Sequence, residues 1–151
     1  MLKAVVGVLA GYIIMAVVVL TSFSIAYVLM GADRAFEPGS YDPSALWIGT
    51  SFVLGFIAAA VGGAVGTLIW CFRQKVVVAA LVMVIGLSMA VAGMMAPAGP
   101  VTARTGDVDN LEAMKAAKTP DWVALANPFV GAAGVLAGLA LVGRRGCART
   151  G

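Results

Sequence analysis

The chain contains no histidine, only two cysteines and few charges. Each scarcity excludes something. Without histidine, the usual general base and the Ser-His and Cys-His pairs of nucleophilic catalysis are missing. Cys71 and Cys147 alone fall short of the four ligands of a structural zinc site. Both lie in segments expected on the cytoplasmic side, where thiols stay reduced, so no disulfide framework is expected. There is no glycine-rich phosphate loop after a strand and no metal-ligand cluster. The sequence therefore predicts a non-enzymatic protein with no cofactor and no metal.

Charged residues make up 11% of the 151 positions and hydrophobic residues 62%. Ordinary soluble domains sit near roughly one quarter charged and about 45–50% apolar. A soluble fold of this length could not hide that much apolar surface, whereas a chain surrounded by lipid does not have to. The net charge of +3 does not indicate nucleic acid. The cations are few, stand beside apolar runs, and lack the interleaved aromatics that stack on bases.

What is present is four long blocks without Asp, Glu, Lys or Arg: 4–32, 43–72, 76–103 and 122–143. A spanning helix needs about 20 predominantly apolar residues, and every block exceeds that. The fold class expected is an all-α membrane protein, a four-transmembrane-helix bundle forming one domain over 1–151. Its spans are placed at about 2–30, 45–72, 76–95 and 120–142, with outer loops 31–44 and 96–119. The first apolar run continues past Leu20 to Met30, too long for the h-region of a signal peptide, so it reads as a retained helix. Trp47 and Trp70 read as anchors at the two headgroup boundaries of the second span, and Trp122 as the outer anchor of the fourth.

Charge is sorted by side. Lys3, Arg73, Lys75, Arg144, Arg145 and Arg149 flank one set of span ends without any acid. All seven acids lie in the other two loops, with Arg34, Arg104, Lys115 and Lys118. The positive-inside rule then predicts a multi-pass protein of the plasma (inner) membrane with both termini cytoplasmic.

Within the loops, 31–44 reads as turn chemistry without a helical pattern, from Gly31, Pro38, Gly39 and Pro43. Segment 73–75 reads as a tight turn, and Pro97, Gly99 and Pro100 as the stop of the third helix. Asp109-Asn110-Leu111-Glu112 resembles a capping box opening a short amphipathic helix over 110–118. Its apolar face is expected at Leu111, Met114 and Ala117, with an i,i+3 pair between Glu112 and Lys115. That helix is a connector over the bundle or a lid. Thr119-Pro120-Asp121 reads as the N-cap, first residue and first-turn acid of the fourth span.

Inside the membrane two features stand out. Small residues recur four apart at Gly7/Gly11, Gly62/Gly66 and Gly134/Gly138, with Gly86 and Ala90 on the third span. The blocks hold 15 glycines, which yields roughly two such pairs by chance against three present, so the helix-packing motif alone decides little. The longest small face is Gly55, Ala59, Gly62, Gly63 and Gly66, suited to packing within the bundle or to a homo-oligomer interface. The second feature is Asn127-Pro128, read as a kink or ligand site in a continuous helix, or as the N-cap and first residue of a shorter one. Tyr12 is expected to find a hydroxyl partner, and Ser88 to bond its own backbone. The two halves also echo each other weakly, Phe52-Val53-Leu54-Gly55 against Phe129-Val130-Gly131. Such an echo also arises by chance in an alphabet of Ala, Val, Gly and Leu.

The function expected is an accessory or scaffold subunit, or a homo-oligomer, acting through helix packing. The alternative is a pore or transporter for a neutral or apolar solute. The partners expected are the lipid bilayer and itself or another membrane protein, with no nucleic acid.

Overall fold

The computed structural model describes residues 2–69, 75–95 and 108–146. Four helices dominate: α1 (Leu2–Met30), α3 (Ala45–Ile69), α4 (Lys75–Met95) and α6 (Asp121–Gly146). Two short helices, α2 (Ala32–Ala35) and α5 (Asn110–Ala116), sit in the connections. Helix is what apolar chain must form in lipid, because only intrahelical bonds satisfy every backbone N–H and C=O there. Each long helix contains an apolar stretch of 19 to 26 residues. That is enough to cross a bilayer. This is an integral membrane protein built as an all-α four-helix bundle.

The helices do not pack as a closed square. α3 lies against α1 and α6, and α6 lies against α3 and α4, while α1 and α4 barely meet among the described residues. Hairpins α1–α3 and α4–α6 thus join through α3 and α6. Burial follows that order: a third of the most apolar window of α3 and of α6 is buried, against 6% for α1 and α4. Among the described residues the apolar core comes in two clusters. One joins Ala59, Val135 and Leu139, with Met15, Val78 and Val82 packed on it. The other, at the acidic end, joins Tyr27, Ala32, Ala35, Phe36, Tyr41 and Ala113.

The described parts of the acidic-end loops are folded. Gly31 ends α1 at φ 74°. That conformation is open to glycine. The Gly31 N–H donates to the Tyr27 carbonyl at 2.8 Å. The chain then makes the single turn of α2, so the expectation of turns without helix over 31–44 is corrected. Two N–H groups, of Arg34 and Ala35, converge on the Gly31 carbonyl and hold that turn. Next, Glu37-Pro38-Gly39-Ser40 reverses the chain with Gly39 at φ 71°. Pro followed by Gly is the residue order of a type II turn. A bridge between Phe36 and Pro43 closes it. Ser44 caps α3: its Oγ accepts from Trp47 N–H at 3.1 Å and donates to the Arg34 carbonyl at 2.5 Å.

Helix α5 starts where the sequence placed it. The Asp109 carboxylate accepts from Glu112 N–H at 2.7 Å. The remainder differs in three ways. α5 stops at Ala116, because Lys118 N–H donates to the Tyr41 carbonyl at 3.1 Å and draws the chain out of the helix. The Glu112 carboxylate accepts the Tyr41 hydroxyl at 3.2 Å. The buried face is Ala113, while Leu111 and Met114 are exposed. The small Ala113 lets α5 sit close on Tyr27 and Phe36. α5 therefore lies over the bundle, tied to α1 by Asn110 Nδ2 donating to Ser24 Oγ at 2.9 Å.

The fourth span begins one residue later than expected. The Pro120 carbonyl accepts from Val123 and Ala124, and the helix runs unbroken through Pro128 to Gly146. The shorter helix starting at Asn127 is thereby excluded. α4 starts at Lys75 rather than residue 76. Trp70, Cys71, Arg73 and most of the 73–75 turn lie outside the described residues. So do the Pro97-Gly99-Pro100 stop, Arg104, Asp107, Cys147 and Arg149.

Candidate functional site

Helix α3 is the hub, and glycine makes it one. A Cβ on Gly62 would lie 2.7 Å from the Gly11 carbonyl oxygen and 2.8 Å from Met15 Cβ. A Cβ on Gly11 would lie 2.6 Å from the Gly62 oxygen. These distances are far inside van der Waals contact, so only glycine permits this approach of α1 and α3. Gly66 lies on the same seam, its Cα 3.5 Å from the Gly11 Cβ position.

The opposite side of α3 meets α6 in the same manner. Gly63 faces the Val135 carbonyl at 2.7 Å from its built Cβ. Gly134 faces the Phe56 carbonyl at 2.6 Å and Ala59 Cβ at 2.8 Å, and Gly138 faces the Ala60 carbonyl. Of the face Gly55, Ala59, Gly62, Gly63 and Gly66, four members thus touch helices of the same chain. Gly55 does not; open space surrounds its Cβ position. In lipid, such close backbone approach gains the dispersion contacts that hold helices together.

Pro128 and Asn127 separate. Pro128 is buried against α4, its ring 3.0–3.1 Å from the Cβ position of Gly86, so Gly86 is the seat for that ring. Asn127, the next residue round the helix, is exposed toward a cavity of ≈ 320 Å³ between α1, α3, α6 and linker 117–120. Asn127 stands six residues into α6. That is about 9 Å along the helix. Among the described residues its side-chain amide has no hydrogen-bond partner. Ser51 also lines this cavity but spends its hydroxyl on the Ile48 carbonyl at 2.8 Å.

A second cavity, also ≈ 320 Å³, opens at the other end of the bundle. It fills the gap that α1 and α4 leave between them. Val8 and Tyr12 form one wall, Leu81 and Ile85 the other, and Gly63 and Val135 the floor. Among the described residues, no charged one lines it. The two cavities share no lining residue. Buried Ala58, Ala59 and Ala132 lie between their levels.

Tyr12 lines this groove. Its side chain is 62% exposed at the mouth of this groove, and no described residue accepts from its hydroxyl. Ser88 bonds the Val84 carbonyl of its own helix at 2.8 Å. Trp47 is a packing residue besides an end marker: its ring meets Phe23 and Tyr27 edge-on at 5.9 and 6.2 Å. Trp122 remains exposed beside Phe52.

Sequence reasoning missed the aromatic cap of Tyr27, Phe36 and Tyr41. The available signal was three aromatics flanking a Gly- and Pro-punctuated loop next to a span end. No protein-family model, curated protein or solved structure matches this chain. The geometry alone therefore carries the functional reading.

Proposed function

We propose that this chain is a non-enzymatic accessory or scaffold subunit of a membrane assembly, working through helix packing. The observation that carries the reading is the filled middle of the bundle. Buried Ala58, Ala59 and Ala132 separate the two cavities, so a solute crossing the chain would have to part α3 from α6. The small faces of α3 and α6 are engaged by their own neighbours. A second copy or another membrane protein would meet the outward sides of α1 and α4, where large apolar side chains are exposed. Lipid is the other partner. The six cations and absent acids at one set of span ends support a multi-pass placement in the plasma (inner) membrane, termini in the cytoplasm.

The test is purification from native membranes in a mild detergent, with cross-linking before extraction. A stoichiometric membrane partner or a defined self-oligomer is the expected result. A monomer that passes a small neutral solute such as glycerol in proteoliposomes would overturn it. That transport alternative draws on one observation, the Asn127 amide facing the acidic-end cavity without a partner among the described residues. Under it, Asn127→Leu would abolish flux; under the scaffold reading there is no flux to abolish.

A further inference from the structure

We propose that the groove between α1 and α4 seats one acyl chain of an anionic phospholipid, whose headgroup rests on the basic end of the bundle. This inference stands apart from the scaffold reading, since a subunit or a transporter could equally carry a structural lipid.

The shape of the groove suits an acyl chain. The wall residues run from Gly7 to Met15 on α1 and from Val78 to Ile85 on α4. At a rise of roughly 1.5 Å per residue that is about 10–12 Å of depth. One leaflet of hydrocarbon is about 15 Å, half of the ~30 Å core. The groove thus matches the leaflet reach of an acyl chain. A partner helix would need a seam through both leaflets, and the lining of this groove goes no further than Met15 on α1 and Ile85 on α4. Its volume is ≈ 320 Å³. That lies at the lower end of small-ligand cavities, about 300–1,000 Å³.

The lining has the matching chemistry. It is apolar, with Val8, Leu9 and Met15 on α1 and Leu81, Val82 and Ile85 on α4. An unfilled apolar hollow forfeits dispersion contacts along its walls, and in a bilayer the abundant filler is an acyl chain.

Charge selects the headgroup. Lys3 stands one turn before Gly7 on α1, Lys75 three residues before Val78 on α4, and Arg144 five residues after Leu139 on α6. No acid flanks these ends. Three helices that border the groove therefore place cationic residues, without anionic ones, at the level of the headgroups. Tyr12 adds at the mouth a hydroxyl that has no partner among the described residues. Helical side chains lean toward the N-terminus, which for α1 is the basic end, so this hydroxyl is carried toward the lipid ester level.

The experiment is native mass spectrometry of the purified full chain, reconstituted first in equimolar phosphatidylglycerol and phosphatidylcholine. Wild type is expected to retain one phosphatidylglycerol in preference to phosphatidylcholine. Val8→Trp or Leu81→Trp, each filling the mouth, lowers retention about tenfold, the equivalent of about 1.4 kcal/mol. Leu29→Trp, exposed at the far end of α1, leaves retention unchanged. Removing cations, as in Lys3→Gln with Lys75→Gln, reduces the phosphatidylglycerol preference about fivefold per charge. Circular dichroism and elution volume establish that each variant is folded. Spin-labelled lipids on the unmodified protein give a variant-free measurement, with a motionally restricted phosphatidylglycerol fraction larger than the phosphatidylcholine one. Equal retention of both lipids, retention indifferent to Val8→Trp, or a dimer that Val8→Trp dissociates would each overturn the proposal.

Discussion

At the acidic end of the bundle, α1 and α3 are joined by side chains; toward the basic end the same two helices are joined by their absence. The first region holds Tyr27, Phe36, Tyr41 and Trp47 in edge-on contacts, with Tyr27 Oη donating to the Val108 carbonyl at 2.9 Å and Ser44 bridging α2 and α3. The second brings Gly11 and Gly62 backbone to backbone. The difference follows from what surrounds each region. Near the headgroups, amphipathic rings with a polar tip are stable and their hydroxyls find acceptors, the Val108 carbonyl for Tyr27 and the Glu112 carboxylate for Tyr41. Deeper in the membrane, lipid supplies no hydrophobic push between helices, and close backbone approach takes over. The first region tolerates polar chemistry and demands volume; the second demands the lack of it.

Substitutions break this comparison in a definite order. Gly138→Leu drives a side chain into the Ala60 carbonyl at the centre of the α3–α6 seam. Overpacking typically costs about 1–3 kcal/mol, and rigid backbone on the far side places this variant at or above the upper figure. Denaturation titrated with SDS in mixed micelles should show the largest loss of the series. Trp47→Ala vacates the space between Phe23 and Tyr27. It comes at a similar level, about 3 kcal/mol. The same titration reads it.

Smaller effects separate the hydrogen bonds of the cap from its volume. Tyr27→Phe keeps the ring and loses the bond to Val108. A loss of about 1 kcal/mol is expected. Asp109→Ala removes the α5 cap. Its cost is comparable, about 1 kcal/mol, and faster amide hydrogen exchange confined to 110–116 is the signature. Gly55→Ala closes the series. Nothing lies within 4 Å of its Cβ position, although Gly55 belongs to the same small-residue face as Gly62. The change therefore stays within about 0.5 kcal/mol. Equal sensitivity at Gly55 and Gly62 would erase the distinction between open and sealed parts of α3.

The long helices were readable from the sequence because charge is forbidden where lipid is, and α1 begins and ends at Leu2 and Met30 as expected. Asp109 was readable as a cap because an acid before a helical run has a local role. The pairing of helices was not. Gly62 offers the same letter whether it meets Gly11 of its own chain or another copy, since spacing along one helix carries no information about its neighbour. Asn127-Pro128 shows a related limit. Adjacent residues point about 100° apart on a helix. Pro128 therefore faces α4 and Asn127 a cavity, a division that two adjacent letters do not display.

The small faces of α3 close on their own chain, and everything said of the bundle depends on it. Solid-state NMR in bilayers tests this most directly, using two samples. In chains labelled uniformly and diluted among unlabelled ones, cross-peaks between Gly11 and Gly62, and between Ala59 and Gly134, are predicted. In a mixture of separately ¹³C- and ¹⁵N-labelled chains, those contacts should vanish. Their appearance in the mixed sample, with loss from the diluted one, would make α3 an interface between copies and contradict the account.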